Sequence, residues 1–197
     1  MGSSDRNGFT HMDSNKREIV IGIGLPWPRT VPSDLRQCLG EPWTTLRNIV
    51  KEGADAGATR SKCEVNVRRI RARAGLTLYD GIRKSIQDSD VLVFDVSAET
   101  ESSGGAMTCN PNVLFEMGLA LGLGKPVILV GSGVEDWRFL PSDLQGMFVA
   151  RYRVNGSKGQ PTSLESDSQR EDKSGEQSIR STVQSMVIKV AETFSRL

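Results

Sequence analysis

DVLVFDVSAETESSGGAMTCNPNVLFEMGLALGLGKPVILV, running from Asp90 to Val130, reads as strand, loop, helix, turn and strand. Residues 90–96 form a short apolar run with β-branched side chains, the length of a strand buried on both faces. Residues 111–123 are apolar almost all round, the pattern of a helix enclosed on most sides. Asn110 suits the N-cap and Pro111 the first helical position. Gly124 ends the helix, Pro126 keeps it from restarting, and residues 127–130 are a second buried strand. One acid, Glu116, stands inside the apolar helix.

Upstream, residues 17–24 (REIVIGIG) read as a first strand that turns sharply at Gly22-Ile23-Gly24-Leu25-Pro26-Trp27-Pro28. A dinucleotide fingerprint would need glycine where Trp27 stands. Two readings stay open for Gly22 and Gly24: a plain Gly/Pro turn, or small residues that let a ligand approach the backbone. Residues 32–40 read as irregular or a single helical turn. Residues 42–56 read as a helix with Trp43, Leu46, Ile49 and Val50 on one side, loosened at its end by Gly53 and Gly57. Residues 63–70 alternate as a strand with Val65 and Val67 on one face. Arg68, Arg69, Arg71 and Arg73 form a basic cluster, either a solvated edge or a phosphate contact. Residues 76–88 read as a helix whose inner row is Leu78, Ile82 and Ile86.

Downstream, residues 131–144 read as a loop with a helical turn at 141–144, and residues 147–154 as the last strand. Residues 155–177 carry Ser, Gly, Gln and charge with almost nothing apolar, which suggests a flexible linker or insert. Residues 178–197 form an amphipathic helix with Ile179, Val183, Met186, Val187, Val190 and Phe194 on one face, expected to fold back onto the sheet. The alternation of strands and helices predicts an α/β fold: a mostly parallel five-stranded sheet with helices on both faces, residues 16–154 forming one domain. Ligands in such sheets bind beyond the carboxyl ends of the strands, where strand order reverses.

The chain's 197 residues suffice for one domain with a substantial core. Its 25 basic and 24 acidic residues balance to a net charge of +1, which gives no support for nucleic-acid binding. No run reaches the roughly 20 apolar residues of a membrane span. Cys38, Cys63 and Cys109 are odd in number and show no zinc spacing, so a reducing cytoplasm is the expected setting and no metal is expected. Residues 1–15 look tag-like or disordered, and they hold His11, the only histidine. Setting that segment aside removes Ser-His-Asp and Cys-His catalysis.

Two carboxylates then stand out. Asp95 ends an apolar strand at the end where this fold class places its sites, beside Ser97, and Glu116 lies about two turns into the following helix. An ionised acid buried without partners costs several kcal/mol, so Glu116 either pairs with a base at the sheet edge or faces a cleft. Asn112 and Glu116 share a helix side at i and i+4, and the helix N-terminus brings free N–H groups near Asn110 and Asn112. An acid and two amides around one crevice, with neither histidine nor metal cluster, suit cleavage of a bond through an oxocarbenium-like transition state.

The run DVLVFDV from Asp90, NPNVLFEMGLA from Asn110 and GKPVILV from Gly124 resembles the nucleoside 2-deoxyribosyltransferase-like group, and equally the bacterial TIR-like proteins. The PSDLQG run from Pro141, followed by a strand ending at Tyr152, is similar to the TIR-like branch. The likeness spans about residues 76–152. It implies a flavodoxin-like domain in which Glu116 attacks or stabilises the sugar C1′ of NAD or a nucleoside or nucleotide. Asp95 would orient a ribose hydroxyl or accept a proton, and Gly22, Gly24, Ser97, Asn110 and Asn112 would line the pocket. Deoxyribosyltransferases often carry Asp where this chain has Asn110, which favours hydrolysis over base exchange. The residues 98–109 would serve as a flexible lid. No cofactor is expected, since NAD or a nucleotide enters as substrate. The alternative is a non-catalytic TIR-like signalling domain that self-associates on binding its ligand. A phosphoacceptor receiver is disfavoured because Gly24-Leu25-Pro26 stands where its acidic pair belongs.

Overall fold

The structure, a computed structural model, describes residues 18–26, 36–71, 75–100, 107–131, 140–144, 149–152 and 165–196. The tag-like segment with His11, the turn at Trp27 and Pro28, Arg73 and the first half of the expected linker lie outside these residues.

In chain order the elements are β1 (Glu18–Gly24), α1 (Arg36–Ser61), β2 (Glu64–Arg69), α2 (Leu78–Gln87), β3 (Val91–Asp95), β4 (Ala98–Thr100), β5 (Met107–Cys109), α3 (Pro111–Gly122), β6 (Val127–Gly131), a 3₁₀ turn at Ser142–Leu144, β7 (Val149–Arg151) and α4 (Glu165–Ser195). Five strands form one all-parallel sheet in the order β2-β1-β3-β6-β7. This is the flavodoxin-like order, and it reverses between β1 and β3.

Strand pleating divides the core into two. Ile19, Ile21 and Ile23 join Val91, Val93, Ile128 and Val130 on one face, covered by α1 and α4. Leu92, Phe94 and Leu129 lie on the other, covered by α2 and α3 through Ile86, Val113, Met117 and Ala120. All five residues of β3 are buried, as a central strand requires. In α4, Ile179, Val183 and Val187 are wholly buried and Met186 and Val190 pack beside them, the face that the periodicity predicts.

Five local expectations are corrected. The helix expected over 42–56 runs from Arg36 to Ser61. Pro42 lies past the first turn of α1 and costs it one N–H bond; the packing of Leu46, Ile49 and Val50 holds the helix beyond it, and Lys62 closes it at φ 54°. Gly53 and Gly57 do not loosen it. They let it touch α4: a Cβ on Gly53 would lie 2.5 Å from the Arg180 carbonyl oxygen, and one on Gly57 2.8 Å from Val187 Cβ. Residues 165–177, expected as linker, are the first turns of α4, since Glu, Gln, Arg and Lys form helix well without needing burial. The expected loop after β3 contains an antiparallel ribbon, β4 with β5, pairing Ala98 with Cys109 and Thr100 with Met107. Leu78, expected on the inner row of α2, is 69% exposed because Thr77 caps the helix there and the first turn projects beyond the sheet. Among the described residues no helix is long and apolar enough to cross a membrane.

Candidate functional site

The helix that carries the acid is fixed at its start by its cap. Asn110 is fully buried, its backbone is extended at φ −58° and ψ 122°, and its Oδ1 accepts the Asn112 N–H at 3.0 Å. Pro111 follows at the first helical position. Val113, Met117 and Ala120 press one side of α3 onto the sheet. Glu116 lies next to that row, half-buried, at the rim of the carboxyl ends of the strands. At the other end, Gly124 at φ 66° supplies the left-handed residue that stops the helix.

Glu116 stands over the end of β1. A Cβ built on Gly24 would lie 3.1 Å from Glu116 Oε2 and 2.6 Å from Cε1 of the buried Phe94 ring. Gly24 therefore leaves the space that the Phe94 ring fills and that the Glu116 carboxylate borders, at the point where strand order reverses. Burial raises the Glu116 pKa to about 7, and the nearby Arg69 charge pulls it the other way. Arg69, the last residue of β2, pairs with Ile23 of β1. Its own pKa is lowered by burial and held up by Glu116.

Asp95 ends β3, one residue past Phe94, the register partner of Gly24. It is 3% exposed, and the chain's own donors engage both its oxygens. Ser97 donates its N–H at 3.0 Å and its hydroxyl to Oδ1, while the Tyr152 hydroxyl donates to Oδ2 at 2.7 Å. By strand parity Asp95 belongs with Val91, Val93 and Tyr152 on the α1/α4 side, whereas Glu116 comes from the α2/α3 side. The geometry makes Asp95 the tie between the central strand and the residue after β7, not a free base beside Glu116. Tyr152→Phe is expected to lower stability by about 2 kcal/mol, read as a fall in Tm in a thermal melt, because it removes a donor from a buried carboxylate.

Of the residues expected to line a pocket, Gly24 meets Glu116. Gly22 does not: its missing Cβ makes room for Ser89 Oγ and Leu92 Cδ2, which such an atom would approach to 2.6 and 2.8 Å. Asn110 is a cap, with its oxygen turned to its own helix. Ser97 serves Asp95, and Asn112 is exposed on the first turn of α3. Sequence reasoning missed Tyr152 as a partner of Asp95, and saw Arg69 only as one of a cluster. An aromatic residue with a hydroxyl directly after a buried strand was the available signal for Tyr152. Among the described residues no group of acids, cysteines and histidine is placed to hold a metal ion.

A parallel sheet in flavodoxin-like order, with a half-buried acid over its switch point, defines an α/β domain of the flavodoxin-like class. A family model described as "CAP12/Pycsar effector protein, TIR domain" matches residues 55–154, half of the chain, and the chain belongs to that TIR-domain family. Among solved structures it is similar to a 2-desoxiribosyltransferase from Leishmania mexicana, at 16% identity and a TM-score of 0.35 over 58% of this chain and 65% of that one. It is also similar to the flavodiiron protein from Giardia intestinalis, at 12% identity and a TM-score of 0.41 over 89% of this chain and 37% of that one. A flavodoxin-like domain from Synechococcus sp. matches at 11% identity and a TM-score of 0.34 over 90% of this chain and 99% of that one. The chain thus spans less than two thirds of the length of the first two. A comparison with curated protein sequences finds no match.

Proposed function

We propose that the domain cleaves the N-glycosidic bond of NAD or of a related nucleoside or nucleotide, with Glu116 facing the sugar carbon. The observation that supports this reading is the half-buried Glu116 carboxylate over Gly24 at the switch point, with a pKa of about 7. As the C1′–N bond lengthens, the bonding pair leaves with the base and positive charge develops on the sugar. A carboxylate at C1′ either stabilises that charge or bonds to it, and water then completes hydrolysis, releasing a proton. The role requires the ionised acid. In a site shielded from water its charge acts more strongly than it would in solvent. Asp95, Ser97 and Tyr152 hold the rim beneath this site, and their part is positional.

The direct test is incubation with NAD, NADP, nucleosides and nucleotides, followed by chromatography for released base. Free nicotinamide or free nucleobase supports the reading, and its absence across the panel, with ligand-dependent assembly in light scattering, favours a signalling domain without turnover. A second measurement is the pH profile. Because Glu116 titrates near pH 7 and must be ionised, log kcat/KM is expected to rise with unit slope up to about pH 7 and then level. A flat profile between pH 6 and 8 would remove Glu116 from the rate equation.

A further inference from the structure

We infer that the chain pairs with a second copy of itself along the open edge of β2, in a closed two-fold dimer whose two sheets run on as one. The inference does not depend on the reading of Glu116.

An open sheet of five strands has two edges, here β2 and β7. β7 is three residues long, and α4 closes on it so tightly that Gly175 has no room for a Cβ beside the Arg151 carbonyl. β2 is six residues long and, among the described residues, pairs with β1 alone. The ladder shows which of its backbone groups point outward. Ile70 donates its N–H to the Ile23 carbonyl oxygen. By alternation Asn66 and Arg68 turn their backbone groups toward β1, and Val65 and Val67 turn theirs away from it. An unpaired edge of this length is a template for another strand.

The side chains select the occupant and its register. Glu64-Val65-Asn66-Val67-Arg68 is complementary to its own reverse. An antiparallel copy centred on Asn66 sets each Glu64 opposite the other copy's Arg68, each Val65 opposite the other's Val67, and the two Asn66 side by side. Val65 and Val67 then form the hydrogen-bonded pairs and Asn66 the non-hydrogen-bonded one, as their outward groups require. A centre at Val65 would set Lys62 against Arg68, and a centre at Val67 would set Glu64 against Ile70. Neither gives Glu64 a cation.

Within one chain these charges are poorly placed. Glu64 is exposed, and its register partner in β1 is Glu18, a like charge across the ladder. Among the described residues no cation pairs with either acid. Arg68 is held there by one hydrogen bond, from Nη2 to the Ser85 carbonyl oxygen at 3.3 Å, and its Nε is buried without a partner. Little is lost when its guanidinium turns to an acid across the seam. Val65 and Val67 are half-buried against the α1 side of the core, so their cross-strand contacts carry that core from one copy to the other. On the same side, an open groove of about 700 Å³ lined by Ala58, Thr59, Cys63 and Val65 leaves room for the partner.

The test is the oligomeric state, read by sedimentation velocity over a range of concentrations. The wild-type chain is expected to move from 21.5 kDa toward twice that mass as concentration rises. Glu64→Arg and Arg68→Glu each set like charges opposite one another twice in the dimer, and each should weaken it roughly 10-fold or more. An equimolar mixture of the two variants should dimerise again, because one copy then carries two cations and the other two acids. Val67→Pro removes an outward N–H and none of the chain's own ladder, so it should be monomeric and folded. If a thermal melt shows it unfolded, the charge variants decide. Asn66→Cys, in a Cys38→Ser, Cys63→Ser background, should oxidise to a disulfide-linked dimer, since the Cα atoms of a non-hydrogen-bonded pair lie about 4.5 Å apart. A wild-type chain that is monomeric at every concentration overturns the inference. So does a dimer that both charge variants leave intact, a mixture of them that stays monomeric, or a mass that grows beyond two copies.

Discussion

Glu116→Gln is expected to lower kcat for base release by roughly 10³- to 10⁴-fold, the scale seen when a reacting carboxylate is removed. The amide keeps the shape of the side chain but not its charge, so the loss should fall on kcat, with a much smaller change in KM. The variant should also be the more stable protein at high pH. Folding raises the Glu116 pKa from 4.5 to about 7, so the fold favours the protonated form. The stabilisation linked to that proton is complete below pH 4.5 and is lost as pH rises through 7. An uncharged amide does not lose it. Thermal melts should therefore coincide for the two proteins near pH 4.5 and separate at pH 8, with Glu116→Gln ahead by roughly 1–2 kcal/mol once solvent screening of a partly exposed group is allowed for. A Glu116→Gln protein that still releases base at the wild-type rate would end the assignment.

Gly24→Ala tests the other half of the site. The added methyl would press on the buried Phe94 ring and on Glu116 Oε2, and the ring has no slack to yield. Overpacking of this kind costs about 1–3 kcal/mol. Relief requires the Phe94 ring to shift and displaces the carboxylate by a few tenths of an ångström, so base release should fall along with stability. Gly22→Ala is the matched control, because its methyl would meet Ser89 and Leu92 and leave Glu116 alone. It should lose comparable stability while folded protein keeps its kcat. The comparison is made by activity per folded molecule at a temperature well below both melts. Equal activity in the two variants would mean that turnover does not depend on where Gly24 lets the carboxylate sit.

The central βαβ unit could be read from residue types because its signals are local. Asn110, Pro111 and Gly124 punctuate α3, the unbroken apolar run marks β3, and an acid within an apolar helix marks Glu116. What could not be read depends on contacts far apart in the chain. Gly53 and Gly57 look like helix breakers until Arg180 and Val187 are seen against them. The polar start of α4 has the composition of a linker, and only docking of its later turns continues the helix backward. Asp95 looked like a reactive group because its donors, Ser97 and Tyr152, come partly from the other end of the domain. Arg69 could be singled out from its neighbours only through its register with Ile23, a property of the sheet and not of the local sequence.

The close seam between α1 and α4 separates what is recognisable from what can stand alone. The stretch that matches the TIR family, residues 55–154, omits β1, the strand that pairs with both β2 and β3. It also omits Ile179, Val183 and Val187, which share with α1 the cover of one face of the sheet. Cut out along the family boundary, this segment would expose that face to water and lose Gly24 from beside its acid. For transplantation into a chimaera, the matched stretch needs β1, α1 and α4 carried with it.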